Sequence, residues 1–352
     1  MICRKFGLTA IILWACASLT YGQSGSTTLS TEDSIRLFTD SVLSLVENHS
    51  LYTEKVDWRT YRSAFTTEVL KAPRFSDALP HFITLWDTLG DDHSTIGYAG
   101  KRYGRSSRLD TASLSKSLRY AFQSRKTWTV QTKVLADQFG YIAVPSISTL
   151  DDSIATLKFA ESLQDSLCRL ARHSPRGWIV DLRRNLGGNM YAMLAGVHQL
   201  VAKDTFSYLL NNTGDIVSSW SVNAGAVLEN KREQIVLPQR CPLINQEPMI
   251  AVLVGPLTAS SGEITALAFL GQKNTILIGE TTAGYMTGNE VYRLPFGGYI
   301  ALAEVYETNR FKQKLTAIQP SIEVRQGDDF EHLLNDTKIK VALEWLSKMS
   351  NP

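Results

Sequence analysis

Ser260 lies in the segment TASSGE, residues 258–263, between an apolar stretch and a stretch with helical character. The first turn of a helix presents free backbone N–H groups, and the helix dipole favours negative charge there. A nucleophilic serine needs this setting because an oxyanion develops beside it during acyl transfer. The segment also fits an ordinary helix cap, in which Ser260 is the N-cap and Glu263 completes a capping box. Taken alone, the motif favours the cap.

A second candidate segment is DLRRNLGGN, residues 181–189, which follows another apolar run. Paired glycines such as Gly187 and Gly188 let a backbone approach a ligand closely and direct N–H groups at an anion. A tight strand-to-helix turn would have the same composition. The segment matches neither the dinucleotide fingerprint GxGxxG nor the phosphate loop GxxxxGK[ST].

His93 is the third candidate, in the segment LGDDHS at residues 89–94. A histidine next to acids is suited to general base catalysis when a carboxylate holds its ring. The competing interpretation is a solvent-exposed polar loop after a helix that stops at Gly90.

The order His93, DLRRNLGG, TASSGE and GETTAG resembles the C-terminal-processing (tail-specific) serine peptidases. The resemblance implies an α/β fold with a core related to crotonase and the Clp protease, in which Ser260 is the nucleophile. It also implies an oxyanion hole made by the N–H groups of Gly188 and Ser261, with Gly187 as a further candidate.

This sequence departs from that family at the position of the base. Many members carry a lysine after the GExT motif, whereas here GETTAG is followed by Tyr285, and a tyrosine is a poor base at neutral pH. The lysine-free branch, similar to the tricorn core peptidase and to retinoid-binding-protein-like modules, uses a histidine that follows the N-terminal helices. His93 matches this position. For the acid that would orient it, Glu290 is the candidate, and Asp91 and Asp92 compete.

The pattern of elements predicts an all-helical N-terminal domain over residues 23–90 and an α/β catalytic domain over residues 91–352. Residues 91–137 look loop-rich and polar, residues 151–173 helical, and residues 290–305 like a hairpin. Near-continuous apolar strands at 177–182, 249–255 and 275–279 indicate a buried sheet with flanking helices. The interval between His93 and Gly140 is too short for a PDZ domain, which other family members often carry.

The first 22 residues read as a secretory signal peptide, with a basic start and then an apolar run. A lipoprotein signal ending at Cys16 is the alternative, so the protein is expected in the periplasm or outside the cell. No further segment is long enough to cross a membrane. Cys168 and Cys241 remain as buried thiols or as one disulfide.

Composition restricts the partners and cofactors. Lys and Arg number 36 against 34 Asp and Glu, and both excess charges, Arg4 and Lys5, lie in the predicted signal. The sequence therefore offers no global field for nucleic acid. It contains no HExxH motif and no Cys/His spacing typical of a metal site, and no cofactor is expected.

These observations predict an exported serine peptidase that cleaves peptides or unfolded proteins through an acyl-enzyme, with Ser260 as nucleophile and His93 as base. The alternative is a catalytically inactive protein on the same scaffold that binds a peptide or an apolar ligand. The missing lysine and the unassigned acid motivate that alternative.

Overall fold

The structure is a computed structural model, and it describes residues 29–106, 109–124, 128–136, 138–147, 152–238 and 247–350. The predicted signal peptide and the alternative lipidation site Cys16 lie outside the described residues. The helices are α1 Thr31–His49, α2 Trp58–Val69, α3 Phe75–Ala78, α4 Phe82–Leu89, α5 Lys116–Gln123, α6 Ser153–Ala171, α7 Met190–Val197, α8 Ser261–Phe269 and α9 Thr337–Ser350. The strands are β1 Thr95–Tyr98, β2 Lys101–Gly104, β3 Gln131–Leu135, β4 Phe139–Ala143, β5 Gly177–Asp181, β6 Thr205–Leu210, β7 Ile216–Asn223, β8 Ala226–Glu229, β9 Arg232–Val236, β10 Ile250–Val254, β11 Thr275–Gly279, β12 Thr287–Arg293, β13 Tyr299–Glu307 and β14 Ile322–Glu323.

A mostly parallel sheet forms the centre of the fold, with the strand order β14-β11-β10-β5-β4-β3 among the described residues. The edge strand β3 runs antiparallel to β4, and the other pairs are parallel. Every residue of β5 and β10 is buried, which their apolar sequences GWIVD and IAVLV explain. Helices α6, α7 and α8 cover one face and α9 covers the other. The predicted α/β fold with a buried sheet and flanking helices is thus confirmed.

A second, antiparallel sheet has the order β2-β1-β13-β6-β7-β8-β9 in the described part of the chain, and β12 pairs with the other edge of β13. The predicted hairpin at 290–305 is confirmed as β12 and β13. The loop-rich interpretation of residues 91–137 is wrong, because β1, β2, α5 and β3 lie there. These elements are short, and β2 (KRYG) is exposed or half-buried throughout. The sequence therefore shows no hydrophobic periodicity from which they could be predicted.

The N-terminal helices pack on this antiparallel sheet as well as on one another. Phe38 of α1 and Trp86 of α4 share an apolar cluster with Ile96 of β1 and with Ile300 of β13. A 3₁₀ turn containing Pro80 separates α3 from α4. The division of the chain at residue 90 remains a prediction, and the shared cluster ties the two predicted parts together next to His93.

Two further findings concern membrane association and cysteine chemistry. Among the described helices, none combines the length and the hydropathy that crossing a bilayer requires. Cys168 on α6 is disulfide-bonded, and Cys241 lies outside the described residues.

The topology places the candidate segments side by side. Strands β5, β10 and β11 are neighbours and parallel, so their carboxyl ends lie at one edge of the sheet. DLRRNLGG begins with the last residue of β5, TASSGE follows β10, and GETTAG begins at the end of β11. Ligand sites of parallel α/β sheets characteristically lie at this edge.

Candidate active site

Ser260 occupies the turn from β10 into α8 with an unusual backbone conformation. Its φ of 51° and ψ of −122° lie outside the regions that non-glycine residues normally adopt. Such residues persist where the surroundings hold them, and they cluster at functional sites. The surroundings are tight here, since a Cβ on Gly187 would lie 2.8 Å from the Ala259 carbonyl oxygen and 3.0 Å from the Ser260 Cβ. The turn presents the Ser260 hydroxyl at the carboxyl edge of the sheet.

The buried carboxylate of Glu263 stabilises this turn through four hydrogen bonds. It accepts the N–H of Ser260 at 2.9 Å, which is one half of the predicted capping box. It also accepts the hydroxyl of Thr282 at 2.5 Å and the N–H groups of Gly284 and Tyr285 at 2.9 and 2.8 Å. Burial raises the pKa of Glu263, and these hydrogen bonds partly offset the rise. One side chain therefore joins the TASSGE and GETTAG segments.

His93 lies in the turn between α4 and β1, and Asp91 holds the backbone of that turn. The carboxylate of Asp91 accepts the N–H groups of His93 and Ser94 at 2.9 and 3.0 Å, and the Ser94 hydroxyl at 2.5 Å. The Ser94 oxygen in turn accepts the N–H of Ala303 in β13 at 2.8 Å. Asn289 donates to the carbonyl oxygen of His93 at 3.1 Å. Both sides of the hairpin thus fix the position of His93.

The fold brings His93 and Ser260 together although 167 residues separate them. The Nε2 atom of His93 lies 3.0 Å from the Ser260 Oγ. The opposite ring nitrogen, Nδ1, lies 2.7 Å from the Oγ1 of Thr287. A nucleophile within hydrogen-bond reach of a base, with a third group orienting the base, is the arrangement that activates a hydroxyl.

A threonine hydroxyl takes the position for which the sequence suggested an acid. The expectation for Glu290 needs correction, because Thr287 is the first residue of β12 and faces His93, whereas Glu290 is three residues further on and exposed. Asp92 forms an ion pair with Arg105. Asp91 binds the backbone of His93, as described above. The orienting group at Nδ1 is therefore neutral.

The electrostatic surroundings keep the His93 ring uncharged. Burial is the main cause, with the positive charge of Arg102 on β2 as the second, of a pKa lowered to about 4. A hydrogen bond with the Thr287 backbone acts in the opposite direction. At neutral pH the imidazole is neutral and able to accept a proton, as a general base must be.

Tyr285 stands where lysine-containing family members would carry the base. Its ring centre lies 5.2 Å from that of His93, with the two rings tilted by 53°. Its backbone N–H is engaged by Glu263. Tyr285 therefore forms a wall of the site beside the imidazole.

The glycine loop and the start of α8 offer N–H groups for an oxyanion. The N–H of Gly187 donates to the Asn185 side chain at 2.9 Å, so that candidate donor is already engaged. Gly188 has a φ of 121°, and a Cβ there would collide with the Ile147 carbonyl. The carbonyl of Gly188 accepts the Ser261 hydroxyl at 2.7 Å. Ser261 is the first residue of α8, where an N–H has no acceptor within the helix. Gly188 and Ser261 thus lie next to each other, beside Ser260.

The chemical groups of the site are hydroxyls, one imidazole and backbone N–H groups. Within the described ranges, no three His, Cys, Asp or Glu side chains are grouped so as to hold a metal ion. The arrangement is suited to nucleophilic attack by an oxygen and to proton transfer.

Sequence reasoning missed two residues at this site, Thr287 and Asn289. Both lie in the short stretch TGNE after GETTAG, of which only the glutamate was considered. The available signal was their place at the start of a strand close to the motif. Hydroxyl and amide side chains are common in such positions, so the residue types alone did not identify them.

Comparison with known proteins gives relatives over nearly the whole chain. The Nisin-resistance protein of Lactococcus lactis subsp. lactis is 25% identical over 308 residues, which cover 84% of this chain and 82% of that protein. A lipoprotein from Streptococcus agalactiae has a similar structure, with a TM-score of 0.65 and 23% identity over 93% of this chain and 99% of the other. The Photosystem II D1 C-terminal processing protease gives a TM-score of 0.53 and 15% identity, with 92% and 98% of the two chains covered. These structural likenesses establish the fold.

The family assignment comes from the sequence profile of peptidase family S41, which matches residues 138–324. The match spans more than half of the chain and contains Gly188, Ser260 and Thr287, whereas His93 precedes it. This chain belongs to peptidase family S41.

Proposed function

We propose that this protein is an exported serine peptidase that hydrolyses peptide bonds through an acyl-enzyme. The observation that carries the proposal is the 3.0 Å distance between the Ser260 Oγ and the His93 Nε2, at a turn flanked by the N–H groups of Gly188 and Ser261. Membership of a peptidase family supports it.

In the first half-reaction, His93 Nε2 accepts the hydroxyl proton of Ser260 as Oγ attacks the carbonyl carbon of the scissile peptide. The carbonyl oxygen becomes an oxyanion, which the N–H groups of Gly188 and Ser261 bind. The imidazolium then gives its proton to the leaving amine nitrogen, and the carbon–nitrogen bond breaks. The amine product leaves, and an ester links the acyl group to Ser260.

In the second half-reaction, His93 removes a proton from a water molecule that attacks the ester carbon. The tetrahedral species collapses, and the same proton returns to the Ser260 oxygen as the carboxylic acid product departs. An Nδ1–H that donates to Thr287 fixes the tautomer, so Nε2 remains the acceptor. A neutral hydroxyl orients the ring but stabilises the imidazolium less than a carboxylate would, so His93 is a weak base.

Ser260→Ala tests this function directly. Hydrolysis of unstructured peptides should fall at least about 10³-fold, because the nucleophile and its base act as a unit. The free energy of unfolding should change by no more than about 1 kcal/mol, since a single hydroxyl is removed. Ser347→Ala on α9, across the parallel sheet, is the matched control and should keep full activity. Unchanged hydrolysis by Ser260→Ala would refute the proposal.

The substrate is a peptide or an unfolded protein, and cleavage near a carboxyl terminus is the finer proposal. Mass spectrometry of the products separates removal of a tail from cuts inside the chain. Because one relative is a Nisin-resistance protein, nisin belongs in the peptide panel.

Export is supported by the basic and apolar start of the sequence and by the disulfide at Cys168, since disulfides persist in oxidising compartments. The similarity to a lipoprotein keeps lipidation at Cys16 as the alternative to cleavage after Gly22. Intact mass of the mature protein decides, because the two products begin at Gln23 or at a lipid-modified Cys16.

A non-catalytic binding protein is the second candidate function. The neutral group at Nδ1 and the low pKa of His93 favour it, because both disfavour the imidazolium. It predicts that Ser260→Ala leaves peptide binding intact and that the unmodified protein produces no cleavage products.

A further inference from the structure

Three glutamates that act on one another electrostatically form a group that the mechanism does not use. This glutamate cluster consists of Glu229 at the end of β8, Glu290 on β12 and Glu307 at the end of β13. Glu290 is exposed, Glu229 is half-buried and Glu307 is buried. The cluster therefore runs from the solvent into the protein.

Glu307 is the unusual member, because one of its oxygen atoms has no partner. Its Oε2 accepts the hydroxyl of Ser207 at 3.1 Å. Its Oε1 is buried without a hydrogen bond, next to Gly288, where a Cβ would lie 3.2 Å away. Burial, reinforced by the negative charge of Glu229, raises the pKa of Glu307 to about 8. A buried polar oxygen without a partner is costly and calls for a ligand.

The charges around the cluster are of one sign. Partial desolvation is the main cause of the raised pKa of Glu290, whose side chain is still accessible, and the negative charges of Glu304 and Glu229 add to it. Among the described residues, no lysine or arginine forms an ion pair with Glu229, Glu290 or Glu307. Carboxylates gathered without a counter-charge favour a cation from outside.

Two residues connect the glutamate cluster to segments of the proposed active site. Tyr191, in the first turn of α7 and three residues after Gly188, donates its hydroxyl to Glu229 at 3.1 Å. Its raised pKa has the burial of the ring as its main cause, with Glu229 and Glu290 adding to it. On the other side, Gly288 directly follows Thr287, which contacts His93. The glutamate cluster is thus linked through Tyr191 and Gly288 to the segments that carry Gly188 and Thr287.

We propose that the glutamate cluster binds a cationic side chain of the peptide substrate, a lysine or an arginine, and so selects the cleavage site. This inference rests on the proposed peptidase function. It assigns the exposed Glu290 and the half-buried Glu229 to the first contact with the cation, and the free oxygen of Glu307 to the inner end of the subsite.

The experiment measures binding apart from turnover. The Ser260→Ala protein is titrated by calorimetry at low ionic strength with peptides that carry one lysine at successive positions, and with matched peptides that carry norleucine instead. At one position the lysine peptide should bind at least about 10-fold more tightly, as expected for a charge that meets partly desolvated carboxylates. In a Ser260→Ala background, Glu229→Gln and Glu307→Gln should each reduce that preference to less than about 3-fold.

Glu344→Gln is the matched control, because Glu344 is an exposed acid on α9, on the other side of the parallel sheet. It should leave the lysine preference unchanged. If the buried Glu307→Gln variant does not fold, Glu229→Gln and the exposed Glu290→Gln decide the question. Equal binding of lysine and norleucine peptides at every position would overturn the proposal, as would a preference that survives in the glutamine variants.

Failure of the subsite and failure of the peptidase function give different results. Lysine-selective binding without cleavage by the unmodified protein supports the subsite and contradicts the peptidase function. Cleavage that depends on Ser260 but ignores lysine supports the peptidase function and overturns the subsite.

Discussion

Two polar clusters lie at the carboxyl edge of the parallel sheet, and they differ in charge. One is made of neutral groups and the other of buried ion pairs. The cluster that we propose to be catalytic, here called the catalytic cluster, is made of Ser260, His93 and Thr287; its groups are neutral and all three residues are half-buried. The ion network, which is made of Asp181, Arg183, Asp328, Asp336 and Lys338, consists of charged groups and is buried.

The ion network is built around the Arg183 guanidinium. Asp181 accepts from its Nε and Nη2 atoms at 3.0 and 2.7 Å, and Asp328 and Asp336 accept from Nη1 at 2.8 and 2.6 Å. Lys338 adds a contact of 2.9 Å to Asp328. Burial is the largest single influence on Asp181 and would raise its pKa, but the charge of Arg183 and the hydrogen bonds from Arg183 and Tyr141 together lower it.

The two clusters have different roles. The ion network fixes the backbone, and the catalytic cluster carries the proposed chemistry. Arg183 is the third residue of DLRRNLGG, so the network anchors the start of the loop that carries Gly188. Strong, mutually paired charges make that anchor rigid. The catalytic cluster contains no permanent charge, which leaves its proton free to move between Ser260 and His93.

The largest effect is expected from Arg183→Met, which tests the anchoring half of the comparison. Removing the guanidinium leaves the buried carboxylates of Asp181, Asp328 and Asp336 without their shared positive partner. The free energy of unfolding should therefore fall by about 3–5 kcal/mol. Chemical denaturation measures this. Arg325→Met, which removes an exposed partner of Glu323, is the control and should leave the free energy of unfolding nearly unchanged. A loss below 1 kcal/mol for Arg183→Met would show that the network does not anchor the loop.

Thr287→Val should have an intermediate effect, on rate rather than on stability. Loss of the hydroxyl removes one hydrogen bond that orients the His93 ring, so kcat should fall about 10-fold while KM stays within about 2-fold. Thr287→Ser keeps the hydroxyl and should restore most of the activity. If the valine variant keeps the kcat of the unmodified enzyme, Thr287 is not a positioning residue.

The smallest effect concerns the pH dependence of kcat/KM. The rate should rise with pH as His93 loses its proton, with the acid limb near the pKa of about 4 rather than near 6.5. The charge of Arg102 disfavours the imidazolium, so Arg102→Gln should raise the pKa of His93 and move the acid limb to higher pH, most visibly at low salt. Lys101→Gln, on the same strand, should leave the profile in place. A downward shift in Arg102→Gln would contradict the assigned electrostatics.

The sequence predicted the elements that carry strong periodic or apolar signals. The buried strands at 177–182 and 249–255 and the helix at 151–173 are found as β5, β10 and α6, because long apolar or amphipathic runs determine such elements locally. The antiparallel strands β6 to β9 were not identified. The burial patterns of β6 and β9 do not alternate regularly, which leaves these strands without a clear period in the sequence. Strands β6 to β9 pair with their neighbours in sequence, whereas the contact of β6 with β13 joins residues about a hundred positions apart.

The third member of the catalytic cluster shows where sequence reasoning stops. His93 and Thr287 are 194 residues apart, and their contact depends on how β12 aligns with β13. The sequence showed an acid near the right place, Glu290, but a strand start three residues earlier presents a hydroxyl instead. Choosing between them requires the register of the hairpin, which no local pattern supplies.

The central claim, that His93 activates Ser260 as a nucleophile, is tested most directly by covalent labelling with a peptidyl phosphonate. After incubation with the unmodified protein and with His93→Ala, intact mass and peptide mapping locate the adduct. The account predicts one adduct per chain, on Ser260, which forms at least about 10²-fold more slowly in His93→Ala. A folded protein that gains no adduct on Ser260, or that is labelled equally fast without the imidazole, would contradict it.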